Sequence, residues 1–194
     1  MKYDVILADP PWHFRNYSGT DPKEVNNRTR GSQAHYPTMT TDELCTLPVA
    51  DMAADNAVLF LWSCWPILPD SLRVIEAWGF EYKTLAWVWL KSNPSGFGFF
   101  LGMGYYTRSN TEFCLIATRG NPPKPKNRGI MSLIYAPVME HSRKPDDQYR
   151  KIEALYPEMN YLELFAGRPW PGWSTVGNAI DGCDITQALQ EATP

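Results

Sequence analysis

An α/β fold, with a mainly parallel sheet covered by helices on both faces, is what the sequence predicts. Two observations carry this. Several short runs are apolar at nearly every position, as strands buried on both faces are, and amphipathic stretches of helical period lie between them. With 194 residues and 44% hydrophobic content, the chain suits one compact domain spanning residues 1–194.

Taken in order, the apolar runs are Tyr3–Ala8, Ala57–Ser63, Thr84–Leu90, Glu112–Thr118 and Asn160–Phe165, with Ser132–Ala136 and Ser174–Gly177 as weaker additions. The first helical pattern is Pro69–Trp78: Leu72, Ile75 and Trp78 recur at about helical spacing, and Gly79 stands where a helix stop belongs. The second is Lys144–Tyr156, with Tyr149, Ile152, Leu155 and Tyr156 as its face, Pro145 in its first turn and Pro157 at its end. Three long segments show neither period: His13–Pro37, Ser92–Asn110 and Arg119–Gly129. Segments of that length in a compact domain are usually functional or disordered.

Composition narrows the function classes. The net charge of −3 does not announce a nucleic-acid binder, so any basic surface has to be local. Four scattered cysteines, Cys45, Cys64, Cys114 and Cys183, offer neither zinc spacing nor a disulfide framework. The N-terminus has no apolar stretch of signal-peptide length, and Ala57–Trp62 is too short to span a bilayer, so the expectation is a cytoplasmic protein without membrane contact. Eight Trp and ten Tyr make the chain rich in aromatics, most of which core packing explains.

The candidate chemistry starts at Asp9, directly after the first apolar run, because ligands in open α/β sheets bind beyond the carboxyl ends of the strands. Pro10 and Pro11 fix two φ angles and carry no N–H, so the carbonyls beside Asp9 are expected to be rigid and bare of local donors. One carboxylate with one oriented peptide oxygen suits a group bearing two N–H bonds, such as an exocyclic amine. The ring of Trp12 would offer a stacking face for the base carrying it. A turn or capping carboxylate is the plainer alternative for Asp9.

Asp9–Trp12 resembles the Asp/Asn-Pro-Pro-aromatic signature of amino-group nucleic-acid methyltransferases. The likeness continues in order through "HYPTMTTDEL" (His35 to Leu44), "LFLW" (Leu59 to Trp62), "WVWLKSN" (Trp87 to Asn93), "HSRKPDDQY" (His141 to Tyr149) and "LELFAGRPWPGWSTVGN" (Leu162 to Asn178). Over nearly its whole length the chain is similar to the N6-adenine methyltransferases that include the catalytic seventy-kilodalton subunit of the mRNA adenosine methylase, with many bacterial and phage members.

That resemblance implies a Rossmann-like methyltransferase fold of circularly permuted order, catalytic loop first and cofactor loop last, with S-adenosylmethionine as cofactor. Asp9, Pro10, Pro11 and Trp12 would form the catalytic elbow, Asp9 also facing the cofactor. Lys144 would take the polar methionine or ribose end, Phe165, Ala166, Gly167, Arg168 and Trp170 the strand-end loop, and Asn178 the ribose or adenine. Substrate contacts would come from Trp12, Arg15, Tyr36, Arg108, Lys124 and Lys126. The implied partner is nucleic acid, DNA favoured over RNA because the chain is compact like microbial members; a homodimer is left open. Two departures stand out: many relatives have a strand before the elbow, whereas this chain begins eight residues ahead of Asp9, and Ala179 occupies a position that is often polar.

Plainer readings stand beside these. Lys144 could be a solvated helix-start lysine, and Arg168 and Asn178 ordinary loop residues. Arg119, Lys124, Lys126 and Arg128 lie in a segment without acids, which suits phosphate contact and a solvated, proline-stiffened loop equally. The glycine pattern Gly96–Gly104 lacks a following helix signal and reads as a substrate-recognition loop. His13, His35 and His141 stand alone, as structural or solvent-facing residues do. The rival functions are a catalytically silent nucleic-acid-binding scaffold, N4-cytosine methylation and RNA adenine methylation.

Overall fold

The computed structural model describes residues 2–13, 38–104, 106–140, 143–177, 180 and 185–192. Within them the chain runs β1 (Tyr3–Ala8), α1 (Thr41–Cys45), α2 (Val49–Met52), β2 (Ala53–Ser63), a 3-10 turn (Trp65–Ile67), α3 (Leu68–Ala77), β3 (Glu81–Ser92), β4 (Thr111–Arg119), β5 (Leu133–Pro137), α4 (Asp147–Leu155), β6 (Tyr161–Leu164), β7 (Trp173–Val176) and α5 (Ile185–Ala192). All seven apolar runs are strands of one sheet, ordered β5-β3-β4-β2-β1-β6-β7.

The sheet is mixed. Strands β1, β2, β6 and β7 pair in parallel, as do β3 and β5, but β4 lies antiparallel to both β2 and β3. The reason is local: a parallel return needs a crossover, usually a helix, and the described residues between β3 and β4 form none. Its two strands close as a long-looped hairpin. The first residues of β4 therefore arrive at the end of the sheet where β1, β2 and β3 finish.

Helices cover both faces. On one, Ile6, Leu59, Leu61 and Phe113 pack under Leu44 of α1, Val49 and Met52 of α2, Val74 and Ile75 of α3, and Ile185 and Leu189 of α5. On the other, Leu7, Phe60, Trp62 and Trp87 pack under Tyr149 and Ile152 of α4 with Tyr156 behind it. Each such fully buried aliphatic contributes about 1.5–3 kcal/mol of transfer free energy. Trp78 is wholly buried, and its indole N–H donates to Leu44 O at 2.8 Å, tying α3 to α1.

The buried face of α3 is Ser71, Val74 and Ile75, with Trp78 at its C-cap, and Leu72 points outward. The expected face therefore needs a small rotation. Ser71 is admitted because its hydroxyl bonds Ile67 O at 3.0 Å and also meets Ser63 Oγ. The second helix starts later than expected, at Asp147. A residue before proline is pushed away from helical geometry, so Lys144 sits on the approach to α4 and not in its first turn. The short α1 begins with a capping box in which Thr40 and Glu43 satisfy each other's backbone N–H.

Candidate active site

Four charged side chains from four places in the sequence meet at the carboxyl end of the parallel strands. Asp9 follows β1, Lys91 lies near the end of β3, Glu112 is the second residue of β4, and Lys144 precedes α4. Lys144 Nζ is 2.6 Å from Asp9 Oδ2 and 3.4 Å from Glu112 Oε2. Lys91 closes the chain by pairing with the other oxygen of Glu112. Acid and base alternate, so the cluster is neutral, and its Lys144 side chain is only 10% exposed. Lys144 also lies over the ring of Trp62, 5.5 Å from its centroid. Trp62 is fixed in turn by Gln148, which accepts its N–H at 2.6 Å.

The two carboxylates titrate in opposite directions. Burial pushes the Asp9 carboxyl above the ordinary range, and Lys144 offsets this only in part. Burial also acts upward on Glu112, but the Lys144 and Lys91 ammonium groups together outweigh it and hold that carboxyl low. Glu112 is thus the firm anion of the cluster.

Beside it lies a cavity of about 310 Å³ lined by Trp89, Lys91, Phe100, Glu112, Val138, Met139, Glu140, Arg143 and Lys144. That is near the lower end of small-ligand pockets, roughly 300 Å³. Lys91 and Glu112 join the site although the sequence singles out neither as a candidate. A charge in the opening residues of a buried strand was the available signal, but it points to the site only once β4 is known to run backwards.

The elbow differs from the donor-free corner expected. Trp12 N–H donates to Pro10 O at 2.8 Å, and Met39 N–H donates to Pro11 O at 2.8 Å. The prolines remove their own donors but bend the chain so that the next free N–H folds back. Trp12 is also corrected: the residue is 7% exposed and belongs to the core, and its indole N–H donates to Trp62 O at 3.0 Å. It anchors the elbow to β2, and in this structure presents no open face to a base.

In the strand-end loop, Phe165 takes φ 62°, a costly left-handed conformation for a bulky residue, of the kind that gathers at functional sites. Ala166 is buried, and a Cβ on Gly167 would meet open space. Arg168 pairs with Asp146 and lies 5.1 Å from the centroid of Trp170. Trp170 stacks on Tyr149 at 4.2 Å and shares Glu153 with Trp173 through its N–H at 3.0 Å. Both side chains are engaged with the protein. The glycine that packing requires is Gly177, where a Cβ would lie 2.5 Å from Ala166 O and 2.6 Å from Ala166 N.

The other candidates separate by position. Arg108 is exposed in the segment joining β3 to β4. Lys124 and Lys126 are exposed, and Lys126 N–H is held by Leu155 O at the end of α4, in a segment leaving Arg119, which pairs with Ala57 early in β2. They lie at the opposite end of the sheet from Asp9. Arg15, Tyr36 and Asn178 lie outside the described residues.

A carboxylate at the strand ends of a helix-covered sheet, beside a loop that Gly177 closes on the neighbouring strand, stands where ligands bind in α/β proteins. The MT-A70 family model matches residues 3–179, and the chain belongs to that family of N6-adenine methyltransferases. It is 35% identical over 191 residues to the type II methyltransferase M.MunI of a Mycoplasma species, covering 92% of this chain and 78% of that protein. It is 32% identical over 189 residues to the human N(6)-adenosine-methyltransferase catalytic subunit METTL3, covering 95% of this chain but 29% of that one. An Arabidopsis thaliana MT-A70-like protein is 31% identical over 184 residues, 24% of its length. The chain thus spans about a quarter of the eukaryotic relatives.

Proposed function

We propose that this chain is an S-adenosylmethionine-dependent methyltransferase that modifies the N6 amino group of adenine in DNA, acting as one domain over residues 1–194. Family membership supports the chemistry, and the match to M.MunI over 78% of that protein favours DNA. The observation that carries the reading is the half-buried Asp9 carboxylate at the end of β1, facing an ammonium that has a second carboxylate within reach. The fold reading is the permuted one, with the elbow on β1 and the cofactor loop after β6.

The residues present fit the implied cofactor. Its methionine end carries both charges and meets both signs in the Asp9, Lys144 and Glu112 cluster, while Gly167 leaves its side of the loop open. When bound it supplies an electrophilic methyl group.

The chain's own residues then have definable tasks. Asp9 accepts one N–H of the incoming amine and draws its lone pair out of the ring, stabilising the positive charge that grows on nitrogen. Lys144 holds Asp9 Oδ2 in this structure, which leaves Oδ1 to accept the amine N–H. Glu112, 3.4 Å away, gives Lys144 a second partner, so the buried ammonium stays paired if its contact with Asp9 loosens. The remaining free lone pair of the Pro10 oxygen can take the second N–H. Trp12 holds this geometry from within the core. Alignment supplies most of the rate in such a transfer, and the proton leaves afterwards to water.

Incubation with labelled S-adenosylmethionine and either DNA or RNA, followed by nucleoside mass spectrometry, tests the reading. N6-methyladenine in DNA is the expected product. Label in cytosine, label only in RNA, or cofactor that fails to bind the folded protein would each overturn it.

A further inference from the structure

Between β3 and β4 the chain carries an unusual amount of bare apolar surface. Phe97, Phe99, Leu101, Met103 and Tyr106 are each between 59% and 93% exposed. The segment is nevertheless held at its root. Phe99 bridges Ser92, Phe100 N–H donates to Lys91 O at 2.9 Å, and the Asn93 amide donates to Phe97 O at 3.0 Å.

Its glycines define the shape. A Cβ on Gly102 would lie 2.0 Å from Ser109 O, and one on Gly104 the same distance from Thr107 O. The outgoing and returning chains therefore touch backbone to backbone, in a ribbon two chains thick. Leu101 and Met103 alternate with those glycines, so the large side chains project from the ribbon into solvent.

We infer that this ribbon is a wedge that enters duplex DNA beside the target adenine and fills the space the base leaves, an inference that rests on the function proposed above. Three observations select DNA as the occupant. The ribbon is continuous with the site, because Phe100 lines the same cavity as Lys91, Glu112 and Lys144. Its charge is complementary to phosphate: residues 92–111 contain no Asp or Glu, and Arg108 is exposed. Its shape fits, since a groove about 12 Å wide admits a two-stranded ribbon.

The chemistry requires such a device. An adenine inside the stack cannot reach a partly buried carboxylate held against Lys144 at the strand ends, and extruding it costs a few kcal/mol. Phe, Leu and Met side chains inserted at a base step offset that cost by replacing the lost stacking.

The test compares wild-type protein with the double variant Leu101→Ser, Met103→Ser on plasmid DNA lacking adenine methylation, either native or heat-denatured and rapidly cooled. Both side chains are exposed, so the variant is expected to melt with the wild type. Its initial rate on native DNA should fall by about tenfold, the equivalent of ~1.4 kcal/mol, while its rate on denatured DNA stays within about twofold, because unpaired bases need no wedge. Equal losses on both forms, or no loss on native DNA, would overturn the wedge. So would a wild-type dimer that the variant converts to monomer in sedimentation, which would assign the ribbon to a second copy. Wild-type protein inert on both forms sinks the enzymatic reading and the wedge with it.

Discussion

Asp9 gains its chemistry from being an aspartate at a strand end whose neighbours are proline. A carboxylate there is taken from water by the walls of the site and returned a single strong partner, Lys144. Changing Asp9 to Ala should therefore reduce turnover to background while cofactor affinity, measured by calorimetry, changes little. Near-normal methylation by this variant would remove Asp9 from the mechanism. The pH dependence follows from the direction of its shift: burial raises the pKa, so the ionised form is lost earlier as pH falls, and kcat/KM should drop at a pH above that of an ordinary aspartate. Asp9 was legible in the sequence because its neighbours are adjacent in the chain. Lys91 and Glu112 were not, because their importance comes from two groups that lie far apart along the chain and close together in space.

Among the elements, the strands were legible and their directions were not. Apolar runs announce burial, but a run reads the same in either direction, and only the helix-free connection from β3 to β4 hinted that β4 returns antiparallel. Helix α3 shows the same limit: its apolar count identified a helix, whereas the buried face includes Ser71, which periodicity alone rejects. The junction of β6 and β7 gives a test at this scale. Ala166 N–H donates to Val176 O at 3.0 Å, and Gly177 closes on the Ala166 backbone where no Cβ fits. Gly177→Ala should destabilise the fold by about 1–3 kcal/mol, as overpacking does, and weaken cofactor binding by moving the loop at Phe165. An unchanged denaturant midpoint would show that the strands separate there without cost.

Across the whole molecule, two helix layers bury the sheet so fully that an acid of β6 is caught inside. Glu163 is 6% exposed, and Tyr149 donates its hydroxyl to both carboxylate oxygens at 3.0 Å. Burial lifts its pKa from 4.5 to about 7, with Asp9 adding to the rise and the Tyr149 hydroxyl opposing it. The folded state then holds a proton that the unfolded chain has released, so stability is full below the unfolded pKa and declines as pH rises through about 7. The loss approaches about 3 kcal/mol above that window. Glu163→Gln should remove it: urea titrations at roughly pH 5 and roughly pH 8.5 should show the variant gaining on the wild type as pH rises. A constant difference between the two proteins would mean that Glu163 stays ionised throughout. Among the described residues no helix is long and apolar enough to cross a membrane, in keeping with the short apolar runs.

Sequence alone determined the seven strands, the presence of helices α3 and α4, the position of Asp9 at a strand end and the family likeness of its elbow. These are local matters: hydrophobic period, proline geometry and a carboxylate next to a buried run are properties of neighbours in the chain. Tertiary structure decided that β4 runs backwards, that Glu112 and Lys91 thereby join Asp9 and Lys144, that Trp12 turns into the core, and that Lys124 and Lys126 lie at the other end of the sheet. The physical reason is that charge pairing and burial depend on distances through space, which exist only once the sheet has brought remote segments to one edge.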